Sequence, residues 1–177
     1  GLGLDMLDLV LKNKKVKIFA TYYKNKINFK NKNLNTFKFD INKDLSKINK
    51  IIIKHSPMLV YYFVTCKIKL INTIKMKNEF IKYYINFPLK ILNKHKKSDI
   101  NFFYPSTVYI DNKPGLNYSK IKLKAENKLK KFKNVSIARI PEINTKQNLG
   151  LLNNDLKNFR YYLNTDLKLQ KKTFFIK

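Results

Sequence analysis

The sequence predicts an α+β fold, a small mixed sheet with packed helices and basic extensions, and three observations lead to that prediction. Segments with strand alternation and segments with helical spacing follow one another along the chain. The 177 residues suffice for a modest core, and 44% of them are hydrophobic, with 13 Phe and 11 Tyr. The formal net charge is +27, from 38 Lys+Arg against 11 Asp+Glu. A charge of this size on an aromatic-rich chain indicates a folded protein with a polyanionic partner.

The N-terminal third predicts a helix, two strands and a second helix. Residues 1–11 are apolar and acidic, which favours a short helix. Apolar side chains alternate over 16–20 and again over 37–41, which is strand spacing, and the Asn-rich piece between them predicts a loop or hairpin end. Asn42 can cap a helix over 42–54, and Pro57 ends it.

The middle of the chain predicts two strands around a helix. Alternation over 64–70 predicts a strand, and helical spacing over 77–92 predicts a helix that Pro88 kinks or ends. An extended apolar segment over 102–110 leads to a turn at 111–115, where Pro and Gly follow Asp, Asn and Lys.

The last third is less regular. Residues 119–133 fit a strand or a helix equally well, because their apolar positions satisfy both periods. Residues 135–140 predict a strand ended by Pro141. A helix over 153–163 and a basic tail complete the chain. We therefore expect an N-terminal basic subdomain over 1–57, an α+β core over 58–141, and a C-terminal helix and tail over 142–177.

The sequence shows no targeting or membrane-spanning signal. The longest uncharged apolar run, 58–66, is about half of the roughly 20 residues that a spanning helix needs. The first residues carry Asp5 and Asp8 before any base, the reverse of a transit peptide. We expect either that a presequence has been removed or that the gene lies inside an organelle.

Residues that would indicate catalysis are scattered. His55 and His95 lie far apart and outside any metal-ligand spacing, and Cys66 is the single cysteine, expected as a buried thiol. The acids stand singly, and four glycines do not form a phosphate-binding loop. These observations predict that the chain is not an enzyme and has no cofactor, no metal and no small-molecule substrate.

Lysines interleave with aromatic residues along much of the chain, a pattern that suits nucleic acid, because lysine neutralises phosphates and aromatic rings stack on unpaired bases. The guanidinium of Arg139 can bind a phosphate or a base edge in a bidentate way, or it can pair with Glu142 or another acid. The predicted RNA-binding residues are Lys24, Lys26, Lys30, Lys32, Lys96, Lys97, Lys113, Lys120, Lys122, Lys124, Lys130, Lys131, Arg139 and Arg160.

The composition resembles that of ribosomal proteins encoded by A/T-rich mitochondrial genomes, such as those of ciliates, because Lys, Asn, Ile, Phe and Tyr have A/T-rich codons. The predicted order of elements over 64–140, with Thr107-Val108 and Ser119 at about the expected separation, also resembles the NusE-type small-subunit ribosomal protein. Ile110 to Lys113 replaces the Arg-Ser-Pro-His core of that family's loop, and its helix before the last strand has no room here.

These patterns together predict a structural constituent of a mitochondrial ribosome, located in the matrix, and the NusE-type resemblance implies the small subunit. It would bind rRNA and neighbouring ribosomal proteins through lysine-rich loops, and the segment 102–119 would project as an RNA-contacting loop. The alternative is a matrix-side accessory subunit of a respiratory or ATP-synthase complex, whose charge would face cardiolipin. A free globular enzyme is the third interpretation.

Overall fold

The computed structural model describes residues 2–13, 15–43, 45–66, 73–143 and 174–175. The chain divides into two compact units, Gly1–Ser56 and Pro57–Lys177. No helix among these residues has the length and apolar character needed to cross a membrane. The predicted three-part division remains a prediction.

The first unit contains two helices and a two-stranded sheet. Its elements are α1 (Leu2–Leu11), β1 (Ile18–Tyr22), β2 (Leu34–Lys38) and α2 (Leu45–His55). The two strands pair in parallel, so a hairpin between them, which requires antiparallel strands, is excluded. Phe39, Ile41 and Ile52 form part of the buried core of this unit. The predicted strands and second helix are therefore present, with shifted ends.

The second unit is a parallel sheet with helical crossovers. The elements are β3 (Leu59–Tyr61), α3 (Ile74–Ile81), a π-helical turn (Lys82–Asn86), α4 (Phe87–Lys94), β4 (Asn101–Thr107), α5 (Tyr109–Asn112), α6 (Asn117–Leu129), β5 (Val135–Ile140) and β6 (Phe174–Phe175). Their strand order is β3-β4-β5-β6, and every neighbouring pair is parallel. Parallel neighbours need long crossovers, which α3 to α4 and α6 provide.

β4 is one of the two inner strands of this sheet, and it is buried on both faces. All of its residues from Phe102 to Thr107 are buried, as expected of an inner strand of a parallel sheet. The prediction that the segment 102–119 projects as an RNA-contacting loop is therefore wrong for the first half of that segment. Its second half contains the short helix α5 and the start of α6.

Pro88 explains the π-helical turn. A proline has no N–H, so the carbonyls of Tyr83 and Tyr84 on the preceding turn receive no bond from residue 88. Both find side-chain donors instead. The hydroxyl of Tyr62 donates to the Tyr83 carbonyl at 2.7 Å, and the hydroxyl of Tyr104 donates to the Tyr84 carbonyl at 3.1 Å. The irregular turn is thereby fastened to β4 and to the segment after β3.

The predicted mixture of helices and strands is confirmed. Both sheets are parallel, whereas a small mixed sheet was predicted. The described residues do not show the predicted basic extensions. The predicted strand 135–140 is confirmed as β5, and the ambiguous stretch 119–133 is largely the helix α6. The strand predicted over 64–70 is wrong for residues 64–66, which have no regular structure, and the rest of it lies outside the described residues. The helix predicted over 153–163 lies outside them as well.

Candidate active site

The candidate site lies where β4 ends and α6 begins. Thr107 is the last residue of β4, and the carboxyl ends of parallel strands are where α/β folds bind ligands. Tyr118 lies in the first turn of α6, and Lys122 follows four residues later on the same face of the helix. A hydroxyl from the strand, a phenol and an amine from the helix therefore meet at one edge of the sheet.

Tyr118 is held by aromatic neighbours and by a hydroxyl. Its ring meets those of Phe80, Tyr84 and Tyr109 edge-on, with centroids 5.5–6.3 Å apart. The Thr107 side chain hydrogen-bonds to the Tyr118 hydroxyl. Burial raises the pKa of Tyr118 well above its ordinary value, and the bond from Thr107 opposes that rise. Tyr118 is therefore a neutral phenol that can donate a proton.

Lys122 is a buried lysine whose amine binds the backbone of β4. Its side chain is 4% exposed, and its Nζ donates to the Pro105 carbonyl at 2.6 Å. Backbone groups of odd-numbered residues on β4 face β3, but β3 pairs only as far as Phe103. The carbonyl of Pro105 lies beyond that end and, among the described residues, has no partner on β3, so it can accept from Lys122. Pro105 has no N–H, so no ladder donor is left unpaired there.

Three tyrosine rings surround the Lys122 ammonium. Its Nζ lies 4.2 Å from the ring centroid of Tyr84, 4.6 Å from that of Tyr104 and 5.9 Å from that of Tyr118. Burial lowers the pKa of Lys122 from its ordinary value of 10.5 to about 7, and the negative charge of Glu126 opposes that change. The amine can therefore exchange its proton near neutral pH.

An ion-pair network holds α5 and α6 against β5. Arg139 on β5 binds both oxygens of Glu126 at 2.9 Å through Nε and Nη2. Through Nη1 it binds both oxygens of Asp111 at 2.9 and 3.0 Å. Glu126 is fully buried and also lies 3.6 Å from Lys130. Arg139 thus uses both edges of its guanidinium on carboxylates, which a lysine cannot do.

Replacing Arg139 with alanine should lower the free energy of unfolding by about 3–5 kcal/mol, because the buried carboxylate of Glu126 would lose its main partner. The matched control is Asp111→Asn, which removes the charge of the second carboxylate that Arg139 binds. Asp111 is 53% exposed, so this change should lower the free energy of unfolding by less than about 1 kcal/mol. Denaturant unfolding of both variants is the measurement. Equal losses would show that the buried pair does not carry this stability.

Most of the predicted RNA-binding lysines lie exposed, as a solvated surface requires. In this group are Lys24, Lys26, Lys30, Lys32, Lys96, Lys97, Lys113, Lys120, Lys124, Lys130 and Lys131. Lys113 also pairs with Glu142 at 3.1 Å. Contact of these residues with RNA remains a prediction. Lys122 is instead buried in the candidate site, Arg139 forms the ion pairs described above, and Arg160 lies outside the described residues.

The sequence reasoning missed Thr107 and Tyr118 as functional residues. The available signal was the four-residue spacing of Tyr118 and Lys122, which is the spacing of two residues on one face of a helix. The expected thiol is confirmed, because Cys66 is buried and its pKa is raised by that burial.

Solved structures with the same fold are NAD-binding enzymes and their relatives. The chain matches a short chain dehydrogenase family protein from Francisella tularensis with a TM-score of 0.67 and 16% identity, covering 83% of this chain and 67% of that one. It matches a UDP-glucuronic acid 4-epimerase from Bacillus cereus, solved with NAD, with a TM-score of 0.63 and 17% identity, covering 81% and 54%. For the enzyme WbmH from Bordetella bronchiseptica, solved with NAD+, the TM-score is 0.63 and the identity is 14%, and the match covers 80% of this chain and 52% of that one.

The chain therefore spans about half the length of two of these structures. No protein-family model and no curated protein matches the sequence.

The likeness corrects the functional predictions. The fold is that of NAD-binding dehydrogenases and epimerases, so the assignment to a mitochondrial ribosomal protein, including the NusE-type resemblance and the rRNA partner, is wrong. The expectations of a non-enzyme and of no small-molecule substrate are contradicted by the same structures, and they give no support to a respiratory accessory subunit. The location in the mitochondrial matrix remains a prediction.

Proposed function

We propose that this chain carries the proton-transfer site of an NAD(P)-dependent oxidoreductase or epimerase that interconverts a secondary alcohol and a ketone. The observation that carries the proposal is the group of Tyr118, Lys122 and Thr107 at the carboxyl end of β4. A tyrosine and a lysine are both competent general acids and bases when burial moves their pKa values.

The three side chains divide the work in the direction of ketone reduction. Tyr118, a neutral phenol, donates its proton to the oxygen of the substrate carbonyl. The phenolate that develops is stabilised by the positive charge of Lys122 and by the hydrogen bond from Thr107, both of which act strongly in a site with little water. In the reverse direction the phenolate takes the proton of the substrate hydroxyl.

The residues present fit a nicotinamide cofactor in part. A nicotinamide cofactor supplies or accepts the hydride when it is bound. The site lies at the strand ends where dinucleotides bind in such folds, and Ser119, the residue after Tyr118, buries a hydroxyl that lacks a hydrogen-bond partner within the described residues. Over 57–66 and 73–143, Gly115 is the one glycine, so the second unit's described residues contain no glycine-rich phosphate turn. In the first unit, Gly3 lies in the first turn of α1.

The substrate class we propose is a nucleotide sugar. One of the similar structures is a UDP-glucuronic acid 4-epimerase, and a sugar ring offers the secondary hydroxyl that Tyr118 would serve. The basic surface supports this choice, because lysine side chains attract the diphosphate of a nucleotide sugar.

Binding of NADH and NADPH to the full chain tests the proposal. Titration followed by the nicotinamide fluorescence should give saturable binding of at least one cofactor, and a panel of UDP-linked and dTDP-linked keto-sugars should then oxidise it. The control ligand is ATP, which shares the adenine nucleotide but lacks the nicotinamide. No binding of either cofactor, or binding that ATP displaces at equal concentration, would contradict the proposal.

The rate of ketone reduction should fall as the pH rises through about 7. The reason is that burial lowers the pKa of Lys122 to about 7, and only the protonated amine stabilises the phenolate of Tyr118. The pH profile of kcat/KM for ketone reduction checks this. A profile that stays flat to pH about 9 would show that Lys122 does not titrate in this range.

A further inference from the structure

We propose, on the basis of the function above, that Tyr84 is a positioning residue, whose ring holds the ammonium group of Lys122 beside Tyr118. The role belongs to the face of the ring and not to the hydroxyl. Tyr84 acts through Lys122 and takes no part in the proposed proton transfer itself.

The geometry singles out Tyr84 among the aromatic neighbours. Its ring centroid is 4.2 Å from the Lys122 Nζ, the shortest of the three tyrosine distances, and within the range of a cation–π interaction. The same ring meets that of Tyr118 edge-on at 5.5 Å. The side chain of Tyr84 thus contacts both Tyr118, which donates the proton, and Lys122, whose charge stabilises the phenolate.

Tyr84 is itself fixed at both ends. Its side chain is buried, and its hydroxyl lies 2.6 Å from the Thr65 hydroxyl. Its backbone carbonyl accepts the Tyr104 hydroxyl, which the π-helical turn before Pro88 permits. The ring therefore has a defined place, which a positioning residue requires.

Among the described residues, Glu126 is the carboxylate that opposes the effect of burial on Lys122. The groups that face it are Tyr84 from the π-helical turn, Tyr104 and the Pro105 carbonyl from β4, Tyr118 and Glu126 from α6, and Cys66 from the segment after β3. Glu126 already binds Arg139 on both oxygens, so its charge is largely compensated. The tyrosine faces, with Tyr84 nearest, therefore add to the hydrogen bond that Lys122 donates to the Pro105 carbonyl in keeping the ammonium in place.

The proposal separates the ring from the hydroxyl experimentally. In the full chain with ¹⁵N-labelled lysine, the Lys122 Nζ signal is identified by its loss in Lys122→Met, and its pKa is followed by NMR. Tyr84→Phe, which keeps the ring, should leave the pKa of Lys122 nearly unchanged. Tyr84→Leu should lower it by about 0.5–1.5, the effect of losing one cation–π contact.

Two further variants keep the test decisive if Tyr84→Leu disturbs the fold. Phenylalanines with one, two or three ring fluorines at position 84 preserve the shape while weakening the negative face, and they should lower the pKa of Lys122 stepwise. Tyr83→Leu, on the same turn with its ring against Phe87, should leave it unchanged. The proposal would be overturned if the pKa of Lys122 did not depend on the number of ring fluorines. It would also be overturned if that pKa changed in Tyr84→Phe, which lacks only the hydroxyl.

The measurement needs neither cofactor nor substrate, so the two proposals can fail separately. A stepwise fall in the pKa without any turnover by the wild-type chain would refute the proposed function and leave the contact between Tyr84 and Lys122 established. Turnover by the wild-type chain with no response of Lys122 to position 84 would refute the role of Tyr84 alone.

Discussion

Tyr118→Phe should reduce turnover by about 10²–10⁴-fold, the usual contribution of a positioned general acid or base. The substitution removes the single hydroxyl that donates to the substrate oxygen and keeps the ring that packs against Phe80, Tyr84 and Tyr109. Thermal stability and cofactor affinity should therefore stay close to those of the wild-type chain. Steady-state kinetics with nicotinamide oxidation as the signal is the measurement.

The matched control for this loss is Tyr23→Phe, because Tyr23 lies exposed in the first unit. It should leave turnover unchanged. A Tyr118→Phe chain that retains wild-type turnover would remove Tyr118 from the reaction.

Lys122→Met should lower turnover by about 10²-fold or more, because the phenolate of Tyr118 would lose the neighbouring positive charge. Unlike turnover, the stability of the folded chain should not fall in Lys122→Met. Burial lowers the pKa of Lys122 to about 7 from 10.5, so the unfolded chain binds more protons between those values. The wild-type chain therefore gains stability as the pH rises through that window, and at or below pH about 7 it bears the full cost of burying the ammonium.

Methionine has a similar shape and no charge, so the variant should melt at or above the wild-type temperature near pH 6, with the advantage shrinking near pH 9. Lys120→Met, on the exposed face of the same helix, is the control and should change neither turnover nor this pH dependence. A melting advantage of Lys122→Met that grows with pH would contradict the buried, charged lysine.

The sequence predicted those elements in which the pattern of apolar and polar residues follows the pattern of burial. β5 was predictable because Val135 and Ile137 alternate with less apolar residues before Pro141, and β4 because its residues are uncharged and aromatic. The parallel pairing was not predictable from alternation, since a short strand has the same period in both kinds of sheet. The connections containing α3 to α4 and α6 carried that information.

The candidate site was hidden by composition. From residue 120 to residue 124, lysines alternate with Ile121 and Leu123, which imitates a strand, and only its four-residue spacing from Tyr118 distinguishes the buried Lys122 from its exposed neighbours. Tyr118 is one of 11 tyrosines. Net charge also misled the functional prediction, because it bears on solubility and association and not on the fold. The bidentate capacity of Arg139 was predictable, but its partners Glu126 and Asp111 required the structure.

Turnover of a nucleotide sugar by the full chain with NAD(P) tests the central claim most directly, measured side by side for the wild-type chain, Thr107→Val, Tyr118→Phe and Tyr23→Phe. Thr107→Val keeps the shape of the side chain and removes the hydroxyl that bonds to Tyr118. We expect turnover to fall from the wild-type chain to Thr107→Val and further to Tyr118→Phe, at equal cofactor affinity, while Tyr23→Phe matches the wild type. No turnover by the wild-type chain, or equal turnover by all four, would contradict the assignment of this site.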